Sequence, residues 1–566
     1  IVYLWENMGE EGETHKASLL SAADIQTYIE DTIDGAARLQ AIGFDGIDLN
    51  AAGDNLPARF FSRFGNDRAA DDPYGPATIE NRTRIACEII RGIKERCGAD
   101  FVVQVLVNGA EENDGALGDN ALVNTPEETV AICQALEAAG ADALELRLGT
   151  FAFHEAQFVN DGVFAGYGYD GATSFGTFYD FDSHFSGLLD GSHSGCGLIM
   201  GACRYVKQHV SIPVGGVVFM DPALAPDYFE NALSEGWLDM IYMHRPVANC
   251  DAEYANKLRE GRIDEIRPCC RCLNCLGGLC RVNPCNNSVF TDAMPEGYEV
   301  RPADGDKNVM VIGGGPAGME AARVAAERGY AVTLYEKNGL GGLLDFAEMV
   351  KGKHESLGRL RNYLSRMLEV EGVNVVTGQE VDAAFVREQS PDVVIVATGG
   401  VRPELAAAGT AATPVIGVTD FLASEIGERV AVLGFNAQAT DTAHYLIAQG
   451  KKVTVIAPEP AEAFGTGQAM MLNAFVKPAF FAAGGRLMPE CTLKSVGDGE
   501  IVVTNSFGMD VTLACDCVVD ASTMSPNTAL ADELSGEFDV HVIGDAAEPL
   551  SIQNAITAGN LTARNC

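Results

Sequence analysis

The sequence has few basic side chains, few tryptophans and no long apolar run. Its 566 residues include 39 Lys and Arg against 79 Asp and Glu, a formal net charge of −40, and two Trp. A surface this negative repels phosphate backbones and anionic lipid, so we expect no nucleic-acid partner. Because we find no stretch of about 18 apolar residues, we also expect no membrane span. The charge suits ordinary solubility and indicates no substrate.

The sequence also lacks a secretion signal and an initiator methionine. Sixteen cysteines are present, and six of them fall between Cys269 and Cys285. A local cluster in a chain without a secretion signal favours a metal site over a disulfide framework. We therefore expect a cytoplasmic protein, and at this length two or three domains.

Residues 20 to about 265 alternate apolar strands with amphipathic helices such as 126–140. The five predicted strands are 44–50, 101–108, 143–149, 212–218 and 239–245. Repeated strand–helix units predict a parallel sheet or barrel. The stretch 150–200 interrupts the pattern and is rich in Gly, aromatics, Asp and His. It is typical of the long loops that carry chemistry at the C-terminal ends of barrel strands.

The cysteine-rich segment has a spacing typical of metal ligands. Cys269, Cys272 and Cys275 are separated by two residues each, and Cys280 follows before Val-Asn-Pro. Turns between such cysteines bring their sulfurs together, as in a 4Fe–4S cluster. Four thiolates suit structural zinc as well. Another choice of ligands stays open, because the spacing leaves over Cys270 and Cys285.

A dinucleotide-binding pattern follows from residue 307. Three glycines follow an apolar strand, and a second strand ends in an acidic residue about twenty positions on. The first glycine permits a tight turn, the second admits a pyrophosphate to the helix N-terminus, and the third packs helix on strand. The motifs at 397–400 and 543–546 favour FAD over an empty Rossmann fold. The predicted FAD residues are Gly313, Gly315, Gly318, Glu336, Gly342 and Asp545.

A second unit from Val430 has the same order of elements but a degenerate motif. Gly434 is present, whereas Asn436 stands where the backbone must come close to a phosphate. The next strand ends at Ala457, where an acidic residue would select NAD. We predict an NAD(P)-type domain inserted in the FAD domain, with Gly434 as a weak nucleotide contact. A retained scaffold that no longer binds NAD(P)H is the alternative.

With these motifs the chain resembles the old yellow enzyme-like flavoproteins with a C-terminal FAD/NAD domain. That group includes the 2,4-dienoyl-CoA reductase, 2-enoate reductase and trimethylamine dehydrogenase types. The most specific matching pieces are 43–52, 74–84, 154–156, the Cys269–Pro284 segment and 313–318. The resemblance implies that electrons pass from NAD(P)H to FAD, through a 4Fe–4S cluster to FMN, and as hydride to an activated alkene. A relay between flavins favours iron–sulfur, because zinc does not change oxidation state.

The resemblance also implies residues of the barrel site. Gly216 and Arg245 match FMN-binding positions. His154 matches a histidine placed near the flavin, where it could donate a proton. His184 and His193, in the same long excursion, are its alternates. Hydrogen bonding within the loop is the simpler role for any of the three.

Five matched positions depart from the family pattern. Asn55 stands for the tyrosine proton donor, and Asn50 and Gly53 stand for the histidines that hold a substrate carbonyl. Leu106 replaces the arginine beside the flavin, and His244 replaces the glycine before Arg245. These replacements favour an alternative function, an electron-transfer subunit whose barrel has lost its own substrate site and which docks a catalytic partner.

We therefore predict an α/β protein. Its parts are a (β/α)8-type flavin barrel (1–265), an iron–sulfur segment (266–305), a Rossmann-like FAD domain (306–425 and 515–566) and an inserted NAD(P)-type domain (426–514). A barrel needs eight strands, and the five recognisable ones are, in family order, the last five. Either the chain begins inside the barrel or its first strands come from elsewhere.

The predicted function is an iron–sulfur flavoprotein oxidoreductase that reduces an activated C=C bond of an enoate, enone or enoyl-CoA, with NAD(P)H as donor. The alternatives are the electron-transfer subunit and an amine dehydrogenase. We expect FAD and a 4Fe–4S cluster, whereas FMN and NAD(P)H stay open as cofactors. The partner is a small unsaturated substrate or a redox protein, and both homo- and hetero-oligomers remain compatible with the sequence.

Overall fold

The structure is a computed structural model that describes residues 16–53, 55–111, 122–149, 185–190, 193, 196–288, 297–351, 356–468, 477 and 480–566. By their contacts these residues divide into two compact units, one up to residue 243 and the other from residue 244. His154 and His184 lie outside the described residues. None of the helices in these ranges has the length and apolarity that crossing a membrane requires.

The first unit is built on a five-stranded parallel sheet. Its strands, in spatial order, are β1 (Gly46–Ala51), β2 (Val102–Glu111), β3 (Ala143–Gly149), β4 (Val214–Gly216) and β5 (Met240–Ile241). Its helices are α1 (Ala22–Ala41), α2 (Leu56–Phe61), α3 (Ile79–Cys97), α4 (Pro126–Ala139), α5 (Met200–Lys207) and α6 (Pro226–Ser234). Parallel neighbours in chain order need such crossovers, so the predicted α/β pattern is confirmed.

Alternation along the strands gives this sheet two different faces. Val103, Val105 and Val107 of β2 are buried, whereas Gln104 and Leu106 between them are less so. Successive strand residues point to opposite faces, so one face is apolar and the other carries polar side chains. Gln104 is one of the polar side chains on that second face.

The second unit begins with the cysteine-bearing segment, which contains α7 (Tyr254–Arg259) and α8 (Pro284–Ser288). A parallel sheet follows, with spatial order β18 (Asp539–Val542), β9 (Val393–Val396), β6 (Asn308–Ile312), β7 (Ala331–Glu336) and β8 (Asn374–Thr377). Its helices are α9 (Pro316–Glu327), α10 (Leu344–Lys351), α11 (Leu357–Val370), α12 (Ala383–Gln389), α14 (Ala529–Leu534) and α15 (Ile552–Asn565). This is the doubly wound arrangement of a dinucleotide-binding domain.

The inserted region contains helix α13 (Ala437–Ala448) and its own parallel sheet. The spatial order is β10 (Val415–Gly417), β17 (Cys517–Asp520), β11 (Arg429–Leu433), β12 (Lys452–Ile456) and β13 (Arg486–Met488). An antiparallel sheet of β14 (Cys491–Gly497), β15 (Glu500–Asn505) and β16 (Asp510–Ala514) accompanies it. Strands β10 and β17 lie outside the predicted boundaries 426–514, so the inserted region is wider than its sequence pattern indicates.

The cysteine-bearing segment shares a hydrophobic core with the first dinucleotide-binding sheet. Cys269, Cys280 and Val282 pack in the same buried cluster as Val311 of β6 and Ile556 of α15. A buried apolar cluster of this kind holds a segment in one position. The cysteines are therefore fixed relative to the sheet that carries the predicted FAD motif.

Candidate functional site

Of the glycines at 313, 315 and 318, the first and the third occupy positions that a larger residue would not fit. At Gly313, with φ of +113°, an added Cβ would lie 2.2 Å from the Ala397 carbonyl oxygen. At Gly318 it would lie 1.9 Å from the Gly313 oxygen. At Gly315, just before α9, an added Cβ would find nothing within 4 Å. The first and third glycines thus pack the turn, and the second leaves open the helix N-terminus that receives a pyrophosphate.

The other predicted FAD residues lie around the same helix N-terminus. The Glu336 carboxylate accepts hydrogen bonds from the backbone N–H of Gly314 and Asn338, both at 2.7 Å. Gly342 has φ of +58° and an ideal Cβ position 3.1 Å from Gly315 Cα. Asp545 lies in the turn Gly544–Ala546, and burial raises the pKa of its carboxyl. The structure thus brings the predicted residues together as a cradle.

The four predicted ligand cysteines line one pocket, which we name the cysteine pocket. Its lining consists of Arg245, Asn249, Cys250, Cys269, Cys270, Cys272, Leu273, Cys275, Cys280, Arg281 and Val282. Cys269, Cys272 and Cys280 are less than a tenth exposed. Cys285 is not in the lining, and its sulfur accepts a hydrogen bond from Arg564 at 3.4 Å. Of the two leftover cysteines, only Cys270 thus reaches the pocket.

The backbone between the cysteines is strained. Arg271 and Leu273 have φ of +51° and +60°, in the left-handed region that non-glycine residues rarely adopt. Each such residue costs about 1–2 kcal/mol, and this strain persists where surrounding contacts hold it. The Arg271 N–H also bonds to Cys269. The strained turn thus lies between cysteines that line the pocket.

Besides the four predicted ligands and Cys270, the pocket contains Cys250, which the sequence spacing did not indicate. Its sulfur lies 4.0 Å from that of Cys280 and also bonds to Cys269. The hydrogen bond from Cys250 lowers the pKa of Cys269 to about 7 and that of Cys280 to about 7, against the opposing effect of burial. Burial raises the pKa of Cys275 to about 11. The hydrogen bonds with Cys250 therefore favour the thiolate form of Cys269 and Cys280.

The spacing of these groups does not suit a single metal ion. Within the described ranges, no three His, Cys, Asp or Glu side chains are arranged to hold one ion. Structural zinc needs four sulfurs at about 2.3 Å from one point. A polynuclear iron–sulfur cluster spreads the same four thiolates around a larger group. The four thiolates are the donor set of such a cluster.

A buried ion network joins the cysteine pocket to the FAD cradle. Glu320 of α9 is fully buried and lies 3.0 Å from Arg323 and 3.5 Å from Arg267. Arg267 also donates to the carbonyl of Val282 in the pocket wall. Burial opposes ionisation of Glu320, but the two arginines hold its pKa at about 2. Asn560 of α15 donates to the same carboxylate at 2.8 Å.

In the barrel sheet, the replaced family positions Asn50, Gly53 and Asn55 are bonded within their loop or to β2. Asn55 Nδ2 donates to the Ala52 carbonyl at 2.8 Å, and the Ala52 N–H donates to Asn50 Oδ1 at 3.3 Å. The Gly53 N–H donates to Asn108 Oδ1 at 2.7 Å. The side chains of Asn50 and Asn55 thus bond within the loop, whereas the Gly53 backbone is bonded to β2.

The structure describes both predicted FMN residues and one of the two alternate histidines, His193. Gly216 is a buried residue of β4, where an added Cβ would meet Cys203 Sγ at 2.7 Å. Arg245 opens the π-helical turn Arg245–Cys250 and lines the cysteine pocket. The ring of His193 stacks on that of Tyr228, with centroids 4.1 Å apart. The FMN roles and the catalytic histidine stay predictions.

A polar cluster that the sequence did not predict lies on one face of the barrel sheet. Gln104 Nε2 donates to Asp48 and to Glu145, both at 3.0 Å, and the Tyr242 hydroxyl donates to Gln104 Oε1. Burial and the neighbouring Asp48 raise the pKa of Glu145 to about 8. The signal was present, since polar residues sit at alternate positions of otherwise apolar strands. The Glu145 carboxyl on this face therefore favours its protonated form.

Family models match most of the chain. Residues 307–559 match the pyridine nucleotide-disulphide oxidoreductase family, and residues 2–141 match the NADH:flavin oxidoreductase / NADH oxidase family. An NADH oxidase of Thermoanaerobacter brockii is 31% identical over 568 residues, covering 95% of this chain and 78% of that protein. A cinnamate reductase of Clostridium sporogenes is 30% identical, covering 77% of this chain and 62% of that protein.

A solved 2-naphthoyl-CoA reductase complex resembles the whole fold. It superposes with a TM-score of 0.78 at 25% identity, covering 97% of this chain and 77% of that one. Fold, cradle and relatives together define a flavin-dependent oxidoreductase with a FAD-binding domain. The chain belongs to the NADH:flavin oxidoreductase / NADH oxidase family, and it is of the old yellow enzyme and 2,4-dienoyl-CoA reductase type.

Proposed function

We propose that this chain is an iron–sulfur flavoprotein that passes electrons between FAD, a 4Fe–4S cluster and a barrel FMN to reduce an activated C=C bond. The observation that carries the proposal is the cysteine pocket: four cysteines at cluster spacing line one buried space. The pocket wall shares its hydrophobic core with the FAD sheet. Two redox groups held in one core form the middle of an electron path.

The residues of the pocket suit a cluster in charge as well as in number. Cys269, Cys272, Cys275 and Cys280 would hold the iron atoms, and the cluster when bound supplies one-electron steps. Arg245 and Arg281 line the same space, and a nearby cation favours the thiolate form of a cysteine. Backbone N–H groups of Val282 and Asn283 also bond to Cys280. These groups therefore favour the thiolate form of Cys269 and Cys280.

The residues of the cradle would orient FAD beside this pocket. The open N-terminus of α9 receives the pyrophosphate, and Glu336 accepts from the ribose hydroxyls. The Arg267–Glu320 network bridges the cradle helix and the pocket wall through side chains that are a tenth exposed or less. Such rigidity keeps two redox groups at a constant separation.

The substrate class rests on the relatives. A cinnamate reductase and a 2-naphthoyl-CoA reductase both carry, in their names, a conjugated acid or its CoA thioester. An activated C=C bond needs a hydride and a proton, and the flavin carries the hydride. His154 is our proton donor, with His184 and His193 as alternates. Glu145, protonated at neutral pH, supplies a further proton on the inner face of the barrel sheet.

Metal analysis of matched cysteine variants tests the pocket. We expect about four iron and four sulfide per anaerobically purified full chain. Cys280→Ser should lose most of both, whereas Cys285→Ser, whose sulfur faces α15, should retain them. Stoichiometric zinc, or equal iron in the two variants, would contradict the proposal.

Turnover and flavin content test the barrel. With reduced methyl viologen as donor, we expect reduction of cinnamate, and FMN equal to FAD after acid release. The use of an artificial donor separates the reaction at the barrel from the question of the natural reductant. FAD without FMN, together with no turnover, would refute reduction at this barrel.

A specific observation favours a second candidate, an electron-transfer subunit. The positions that hold substrate in the family are occupied here by Asn50 and Asn55, which bond within their own loop, and by Gly53, whose N–H donates to Asn108 of β2. In that role the FAD cradle and the cysteine pocket keep their functions and a partner protein reduces the substrate. An intact cluster with FAD alone is the result that selects it.

A further inference from the structure

Two strand–turn–helix units of this chain have nearly the same backbone at the start of their helices. Gly315, before α9, has φ of −76° and ψ of 179°, and Asn436, before α13, has φ of −74° and ψ of 176°. Gly313 and Gly434 open the two turns with φ of +113° and +111°. The inserted region thus keeps the turn of a dinucleotide site, and only its side chains differ.

The Asn436 side chain occupies the place that Gly315 leaves open. Its Oδ1 accepts a hydrogen bond from the Ala439 N–H at 3.0 Å, and its Nδ2 donates to the Ala521 carbonyl at 2.8 Å. A helix N-terminus binds phosphate through its free N–H groups. Here an asparagine cap takes one of those groups for the chain itself. A pyrophosphate would have to displace this amide from two hydrogen bonds.

The cationic group beside this helix start also bonds to the chain itself. The Arg402 guanidinium donates to Gln438 Oε1, in the first turn of α13, and to the Ser522 carbonyl. Arginine is the residue best suited to hold a phosphate with two hydrogen bonds. Both terminal nitrogens of Arg402 already donate to acceptors of the chain, so a phosphate in the expected nucleotide cleft at this helix start would compete with those acceptors.

The ribose position differs in the same direction. Glu336 and Ala457 lie 23 residues after the first glycine of their respective units. Glu336 presents a carboxylate beside Gly314, whereas Ala457 is 1% exposed and has no hydrogen-bonding side chain. A nucleotide bound here would find no acceptor for its ribose hydroxyls at position 457.

The inserted region is fastened instead to the FAD domain. Lys351 of α10 and Asp441 of α13 form an ion pair at 2.9 Å, with both side chains less than a tenth exposed. Gln468 donates to the same carboxylate at 2.6 Å. A buried, hydrogen-bonded pair fixes one arrangement of its two elements. The first half of α13 is therefore used to pack against the FAD domain.

We infer that the inserted region does not bind NAD(P)H, and that the FAD is reduced by a donor that does not use this cleft. The inference rests on the two turns alone and is independent of the proposed substrate and of the cluster. It separates this chain from the NADH use that the name of its Thermoanaerobacter relative records.

Hydrogen–deuterium exchange localises nucleotide binding to the turn. The FAD-loaded full chain is measured with and without NADH or NADPH at about 1 mM, the upper end of ordinary KM values. We expect no added protection of residues 430–445 in the wild type. The double variant Asn436→Gly/Ala457→Glu should gain protection there, because it restores the open turn and the ribose acceptor.

The reciprocal change in the first unit is the matched control. Gly315→Asn places the second turn's residue in the FAD cradle and should reduce bound FAD at least tenfold. Protection of 430–445 in the wild type would overturn the inference. An unprotected double variant, or full FAD content in Gly315→Asn, would show that asparagine at this position is not what blocks a dinucleotide. None of these measurements depends on the iron content of the protein, so they are independent of the cluster test.

Discussion

At the scale of single residues, Cys250 shows how a side chain outside the ligand spacing can shape a redox centre. Its thiol bonds to Cys269 and Cys280, two of the four predicted ligands. A hydrogen bond to a ligand sulfur stabilises the more negative, reduced form of a cluster. Cys250 is therefore a positioning and tuning residue.

We expect Cys250→Ala to keep its iron and to lower the potential of the cluster. Loss of one hydrogen bond, about 1 kcal/mol, corresponds to a fall of about 40 mV for a one-electron couple. A redox titration followed by electron paramagnetic resonance measures it, with Cys285→Ala as the unshifted control. If Cys250→Ala instead loses iron, Cys250 is a ligand and the assignment by spacing is wrong.

Glu145 makes the stability of the chain depend on pH in one direction. Burial raises its pKa from an ordinary 4.5 to about 8, so the folded state binds its proton more tightly than the unfolded state. This contribution is complete below about pH 4.5 and is lost as the pH rises through about 8. We expect Glu145→Gln to flatten the decline in the free energy of unfolding over that range. Urea unfolding at several pH values measures it, and an unchanged slope would refute the assignment.

At the scale of elements, helix α9 is the point where the two candidate sites meet. Its N-terminus opens the FAD cradle, and its Glu320 receives Arg267 from the cysteine-bearing segment and Asn560 from α15. A buried charge with several partners is costly to disrupt, because the partners left behind stay desolvated. The position of the pocket thus depends on one carboxylate.

We expect Glu320→Gln to lower the free energy of unfolding by about 3–5 kcal/mol. The matched control is Glu428→Gln, which removes an exposed partner of Lys452 and should cost at most about 1 kcal/mol. Because the pKa of Glu320 is held at about 2, its contribution is present above about pH 4.5 and is lost as the pH falls toward 2. Equal unfolding midpoints for the two variants would contradict this account.

At the scale of the whole molecule, local pattern predicted the sheets and missed the long-range contacts. The five barrel strands were found because apolar runs between amphipathic helices are a local signal. Strands β10 and β17 lie outside the predicted boundaries of the inserted region, because such short apolar runs do not reveal which sheet they join. The four ligand cysteines were close in sequence, but Cys250 and the Arg267–Glu320 pair act across the fold. Contacts between residues far apart in the sequence leave no recognisable spacing pattern, so the sequence did not predict them.

The central claim is a redox-active iron centre in electronic contact with the FAD of the same unit. Low-temperature electron paramagnetic resonance of the anaerobic full chain, reduced stepwise, tests it most directly. We predict the signal of a reduced 4Fe–4S cluster, close to one spin per chain, appearing as the flavin absorbance bleaches. Complete flavin reduction with no cluster signal, and zinc in place of iron, would contradict the account.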